Sequence, residues 1–279
     1  GYTGVSFLLY FSCNLMKNIL HVIDRELWIE WQIKFVKSLK HDSEKYGWSF
    51  DLLKRALSKE FPRSNMVHVL GMKRSGNHAI VNWMIKNCFE SQVFFNNIVS
   101  YDADRVKVSN VQFISPDLID RVICTFEHIS LDFFEGDEDF WYVIRDPYNW
   151  LASWINHSHF NESTVENDIL TYIQNAKSTQ KKILYNEWFK SRSYRDDLAI
   201  KLGFINKDIA INEVPKFGKG SSFDREQYEG RASEMDVLNR WKKVANNSLY
   251  LQLIRQNYED LEDIAKHVFN MTCPVEILE

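Results

Sequence analysis

Val67-His68-Val69-Leu70-Gly71-Met72-Lys73-Arg74-Ser75-Gly76-Asn77-His78-Ala79-Ile80 is the stretch around which the rest of the chain falls into order. It begins as a short apolar run of strand type, passes through a turn bounded by two glycines, and continues as a helix. Gly71 and Gly76 allow a tight path and a close backbone approach that a side chain would block. A turn of this kind directs backbone N–H groups inward, and the helix behind it points its positive end at the same place. Together they make a cradle for an anion. Lys73 and Arg74 add charge at the apex, and Arg74 offers a planar fork of donors. The competing reading is an ordinary strand–turn–helix.

The glycine spacing matches the first half of the phosphate-binding P-loop pattern, whose second half is Gly-Lys-Ser/Thr. There the lysine reaches the terminal phosphates of a nucleoside triphosphate and the hydroxyl holds Mg²⁺. Asn77 and His78 occupy those two places here, and neither replaces both functions. The turn therefore reads as a site for a phosphate or phosphate-like group that protein donors neutralise, with no metal required. Asn77 is expected either to donate to a ligand oxygen or to cap the helix.

A second anion-binding feature lies where another apolar run ends. Phe140–Ile144 leads directly into Arg145-Asp146-Pro147, with Ser153 eight residues after the arginine. In open parallel sheets, ligands bind beyond the carboxyl ends of the strands. Arg145 and Ser153 are candidates for a second anion. An ion pair between Arg145 and Asp146 is the structural alternative.

Elsewhere the pattern is that of one α/β domain with three layers and a central, mainly parallel sheet. Residues 1–62 are predicted to form a helical preface, 63–230 the binding core and 231–279 a helical tail. Strands are expected at Val67–Leu70, Val93–Phe95, Val111–Ile114, Val122–Phe126, Phe140–Ile144 and Ile183–Tyr185. Helices are expected at His78–Cys88, from Tyr148, over Thr164–Ala176 behind a capping box of Ser163 and Glu166, and over Ala199–Leu202. The tail is predicted to begin with a helix opened by Ser233 and Asp236, then to continue through Leu249–Tyr258 and Leu261–Phe269. Pro215–Gly230 reads as a polar loop.

Composition narrows the functional classes. The chain has 279 residues, 45% of them hydrophobic and 26% charged, which is the balance of a folded globular protein. A formal charge of −4 gives no support for general nucleic-acid binding. Cys13, Cys88, Cys124 and Cys273 are far apart, so neither a zinc site nor a disulfide framework is implied. The apolar stretch Val5–Phe11 is too short to span a bilayer, and a cytoplasmic location is expected.

Taken together, the two anion features resemble the sulfotransferase family that uses 3′-phosphoadenosine 5′-phosphosulfate (PAPS). That family carries a Lys-Ser-Gly-Thr-Thr or Arg-Ser-Gly-Thr-Thr loop after a strand, and a later strand ending Arg-Asp/Asn-Pro with a serine eight residues beyond the arginine. Lys73-Arg74-Ser75-Gly76-Asn77-His78 departs from the first pattern at the two threonines, while Arg145-Asp146-Pro147 with Ser153 keeps the second. The resemblance implies that Gly71, Lys73, Arg74, Ser75, Gly76, Asn77 and His78 hold the 5′-phosphate end. It assigns the 3′-phosphate to Arg145 and Ser153. Tyr185 would lie near the adenine. The glycine-rich segment Phe217–Phe223 would cover the cofactor with Lys219, Ser221 and Ser222.

The implied reaction is in-line transfer of a sulfuryl group to a hydroxyl or amine, leaving 3′-phosphoadenosine 5′-phosphate (PAP). Arg74 would stabilise the leaving phosphate, and Glu127 or His128 would take the acceptor's proton. A small metabolite is the expected acceptor, with a carbohydrate or a protein tyrosine as alternatives. The rival readings are a P-loop kinase or nucleotide hydrolase, and a non-catalytic nucleotide-binding module.

Overall fold

A computed structural model describes residues 66–88, 92–100, 106–114, 121–127, 140–157, 161–179, 181–215, 223–224 and 227–278. The expected helical preface, His128, Lys219, Ser221 and Ser222 lie outside these residues. The chain divides into two compact units, Gly1–Leu70 with Phe89–Phe140, and Gly71–Cys88 with Trp141–Glu279.

The first unit holds strands β1 (Met66–Gly71, whose last residue falls to the second unit), β2 (Gln92–Ser100), β3 (Val106–Ile114) and β4 (Arg121–Phe126), in the order β3-β2-β4-β1. β4 runs parallel to both β1 and β2, with Leu70 opposite Phe126 and Phe95 opposite Cys124. β2 and β3 pair antiparallel over their whole length, Gln92 opposite Ile114 and Ser100 opposite Val106. Both strands are longer than their apolar runs predict. The extension takes in Asn96, Asn97, Ser109 and Asn110, poor strand formers by propensity. The antiparallel pairing runs through them, Asn96 opposite Asn110 and Ile98 opposite Val108, and antiparallel pairs accept polar residues more readily than the interior of a parallel sheet does. The sheet is therefore mainly parallel with one antiparallel pair.

In the second unit, β5 (Phe140–Ile144, whose first residue falls to the first unit) pairs parallel with β6 (Lys182–Leu184), Val143 opposite Ile183. Val143, Ile144 and Ile183 are fully buried, as a continuous apolar run requires. Helix α1 (Asn77–Asn87) buries Ile80, Val81, Trp83, Met84 and Ile85. Trp83 meets Phe204 and Trp188 edge-on, at 5.2 and 6.2 Å between ring centroids.

After β5 the chain turns into α2 (Pro147–Ile155). Asp146 caps it by accepting the Asn149 N–H at 2.9 Å, and Pro147 takes the first position, where no N–H is needed. Every residue from Pro147 to Trp154 is buried, so α2 is a core helix. Burial of Leu151 alone is worth about 1.5–3 kcal/mol.

α3 (Glu162–Ser178) buries Val165, Ile169, Tyr172, Ile173 and Ala176, one stripe at helical spacing. It starts earlier than its predicted capping box. Ser163 is its second residue, and the Val165 N–H bonds to the carbonyl of Asn161 at 3.1 Å. Asparagine serves as well as serine at such a start.

α4 (Tyr185–Lys190) and α5 (Arg192–Leu202) follow β6 directly, so Tyr185 opens a helix instead of closing a strand. Gly203 ends α5 with φ 79°, the left-handed conformation that glycine accepts freely. The helix expected from Ser233 through Trp241 is absent, and two 3₁₀ turns, Ala232–Glu234 and Arg240–Val244, stand in its place. The reason lies elsewhere in the unit: the carbonyls of Val237 and Leu238 accept from Arg145 and Asn149, which takes them out of any helical ladder.

The predicted tail helices form as α6 (Ser248–Gln256) and α7 (Tyr258–Phe269), with a short α8 (Val275–Leu278). Buried Glu262 ties this end down. It accepts from Tyr148 Oη at 2.7 Å and the Cys273 N–H at 2.8 Å. Among the described residues no helix is long and apolar enough to cross a membrane.

Candidate functional site

The loop after β1, Arg145, Ser153 and Tyr185 all belong to the second unit. Asn77 shapes the loop from within. Its Nδ2 donates to the carbonyls of Gly71 at 3.1 Å and Met72 at 3.2 Å. The side chain thus braces the turn, and Gly76, not Asn77, is the residue at the N-cap. A β-carbon on Gly71 would lie 2.1 Å from Asn77 Oδ1, so glycine there is what lets the amide fold back over the loop.

Arg74 and Gly76 both have positive φ, 72° and 93°. For Gly76 this is free, while for Arg74 it is strain held by the surrounding turn. The Ser75 N–H closes the turn on the Met72 carbonyl at 3.2 Å. Ser75 itself is fully buried, and its Oγ has no hydrogen-bond partner among the described residues. At the apex, Trp150 Nε1 donates to the Lys73 carbonyl at 2.9 Å. The Lys73 ammonium lies 5.8 Å from the Trp154 ring centroid. It also partly offsets the burial that raises the Asp168 carboxyl. His78 is the second residue of α1 and is half-buried.

Arg145 is 2% exposed. Its Nη1 donates to Ser153 Oγ at 3.0 Å, and that hydroxyl donates in turn to the Asn149 carbonyl at 2.9 Å. Its Nη2 donates to the Val237 carbonyl. The alternative ion pair with Asp146 does not form. That carboxylate accepts from the Asn149 backbone N–H at 2.9 Å and from Asn186 Nδ2 at 2.9 Å. Among the described residues no carboxylate pairs with Arg145, and its Nε has no partner. Burial, and after it the neighbouring Arg240, pull its pKa down to about 10.

Arg240, a neighbour of Arg145, is a residue that no sequence signal reveals. It is 6% exposed, bonds to Asp224 Oδ2 at 3.1 Å and lies 5.0 Å from the Phe223 ring centroid. It sits in a basic run, Arg240 to Lys243, which by itself reads as a solvated helix face.

Tyr185 joins the two anion features. Its ring lies 5.2 Å from the Arg145 guanidinium carbon. It also packs on Gly76, where a β-carbon would meet Tyr185 Cδ2 at 2.2 Å. The structure thus brings Gly71–His78, Arg145, Ser153 and Tyr185 into one unit. Glu127 belongs to the first unit, where it is half-buried and follows Phe126.

The arrangement can receive anions. Among the described residues two buried guanidiniums, Arg145 and Arg240, lie near each other with Asp224 paired to the second, and Ser75 Oγ and Arg145 Nε are buried without a hydrogen-bond partner.

No protein-family model matches the sequence, and no curated protein matches it. A solved structure with some likeness is the mouse sulfotransferase SULT7A1 complexed with PAP. It is 13% identical, with a TM-score of 0.23, over 82% of this chain and 67% of that one. A likeness at that level carries no argument about fold, ancestry or activity.

Proposed function

We propose that the chain is a sulfotransferase that moves a sulfuryl group from PAPS to a hydroxyl or amine of an acceptor. The observation that carries this reading is the Arg145–Tyr185–Gly76 contact. A buried arginine with no carboxylate partner among the described residues, hydrogen-bonded to Ser153, is linked through one aromatic ring to a glycine-bounded anion loop. Such an arrangement suits a nucleotide with phosphates at both its 3′ and 5′ positions, the feature that separates PAPS from ATP.

PAPS, when bound, supplies an activated sulfuryl group on its 5′-phosphate. Arg74 and the backbone N–H groups of Ser75, Gly76 and Asn77 would offset the negative charge that grows on that phosphate as the group leaves. Arg145 and Ser153, with Arg240 beside them, would hold the 3′-phosphate. Tyr185 would flank the adenosine, and Lys219, Ser221 and Ser222 would add donors from the glycine-rich segment. Glu127 or His128 would remove the proton from the acceptor as its oxygen or nitrogen attacks sulfur. A small metabolite is the favoured acceptor, and a carbohydrate or a protein tyrosine fits the same chemistry.

A kinase or nucleotide hydrolase is disfavoured by Asn77 and His78 in the places of the lysine and the metal-holding hydroxyl. Thermal-shift measurements with PAP, ADP, and ATP with Mg²⁺ test the reading. Selective stabilisation by PAP is expected. Equal shifts, or preference for ATP with Mg²⁺, would overturn it. If PAP binds but Glu127→Gln and His128→Gln each leave transfer undiminished, neither residue is the base.

A further inference from the structure

We propose that Trp150 and Tyr172 are positioning residues: a stacked pair that sets the phosphate loop and the Arg145 end of β5 at one fixed spacing. The inference rests on the function proposed above for what that spacing serves.

The two rings stack with centroids 4.5 Å apart and planes 17° from parallel, and both side chains are fully buried. Each has a polar tip, and each tip ends on a backbone carbonyl of the site. Trp150 Nε1 donates to the Lys73 carbonyl at 2.9 Å, at the apex of the loop. Tyr172 Oη donates to the Arg145 carbonyl at 2.7 Å, at the end of the strand. Burial raises the Tyr172 hydroxyl well above its ordinary range, so it stays protonated as a donor.

A hydrocarbon pair of the same shape would stack as well. What the indole N–H and the phenol hydroxyl add is a hold on those two carbonyls. Both hydrogen bonds have ordinary lengths and the two rings are stacked between them, so the pair acts as a strut. Arg145 is further pinned by Ser153 and Val237, whereas the loop apex is fastened to α2 through Trp150. A ligand with two anions set a fixed distance apart gains most from a site whose two receptors cannot drift.

The test uses the full chain with Trp150→Phe and Tyr172→Phe. Amide hydrogen exchange is read without ligand over residues 72–77, residues 145–149 and, as a control, helix α5. Loss of one hydrogen bond should speed exchange about threefold to tenfold in the segment it holds. Trp150→Phe should act on residues 72–77 and Tyr172→Phe on residues 145–149, each with a smaller effect on the other segment and none on α5. Benzothienylalanine at position 150 keeps the ring shape without the N–H, which separates loss of the bond from loss of ring volume and stands in if Trp150→Phe does not fold. Unchanged exchange in both segments, or equal acceleration in α5, overturns the proposal.

Calorimetric titration with PAP and with 5′-AMP, which lacks the 3′-phosphate, completes the test. Trp150→Phe should weaken both ligands, and Tyr172→Phe should weaken PAP more than 5′-AMP. Equal weakening of both ligands by both variants overturns the assignment of the two tips. Should the unaltered protein bind no PAP, the proposed function fails, while the exchange data still decide whether the strut exists.

Discussion

The ring of Tyr185 rests on the bare α-carbon of Gly76, so close that a β-carbon there would sit 2.2 Å from Cδ2 and 2.3 Å from Cε2. The same ring faces the Arg145 guanidinium at 5.2 Å. One aromatic side chain, at the start of α4, therefore touches both the loop and the buried arginine.

Gly76→Ala meets two separate obstacles, the ring and the positive φ of 93°. The expected loss of stability is about 1–3 kcal/mol, measured by urea unfolding. Adding Tyr185→Ala removes the ring but not the backbone strain. The double variant should then lose less than the sum of the single losses, and strict additivity would show that the ring is not in contact.

Asn77→Ala removes both hydrogen bonds that brace the Gly71 and Met72 carbonyls. Stability should fall by about 1–3 kcal/mol. Asn77→Asp should cost more at neutral pH, because a carboxylate would then face two carbonyl oxygens with no donor between them. If aspartate is tolerated as well as asparagine by chemical denaturation, the amide does not brace the loop.

Arg145→Lys keeps a charge but loses the planar fork that reaches Ser153 and Val237 together. PAP affinity should drop about tenfold or more, a change of about 1.4 kcal/mol, while 5′-AMP affinity is retained. Isothermal titration separates the two. Parallel loss for both ligands would remove Arg145 from the 3′-phosphate.

Asp208 gives the chain an acid-sensitive tie. Arg195, 5% exposed, reaches its carboxylate at 2.5 and 2.9 Å and also donates to the Trp188 carbonyl at 2.6 Å. The Arg195 hydrogen bonds, against some opposing burial, hold the Asp208 carboxyl below its ordinary pKa. As pH falls, the unfolded chain takes up this proton first. The pair's contribution is therefore present above the ordinary carboxylate pKa and is lost as pH falls through the folded value. Asp208→Asn fits the left-handed φ of 56°. It should be less stable than the parent at neutral pH, and the gap should close in acid. A gap independent of pH would show that the charge of Asp208 contributes nothing.

Much of the frame is legible from local pattern. β5 falls where Phe140–Ile144 places it, a five-residue apolar run of strand length whose last three residues are fully covered. The loop after β1 and the start of α1 follow from Gly71 and Gly76. The eight-residue step from Arg145 to Ser153 marks a real hydrogen bond, since α2 brings the serine back toward the strand end. The longer β2 and β3 were hidden, because polar residues enter a ladder only when a partner strand supplies the bonds.

By itself, the sequence determined the strand–loop–helix, the buried strands and the serine–arginine spacing, all of which depend on neighbours within a few turns of chain. Only the tertiary structure decided that Asn77 turns back onto the loop, that Tyr185 covers Gly76, and that Arg240 joins Arg145. It also decided that residues 235–239 do not form a helix. Arg145 and Asn149 claim the Val237 and Leu238 carbonyls. A carbonyl given to a remote donor is lost to a helical ladder, and no window of local sequence carries the identity of that donor.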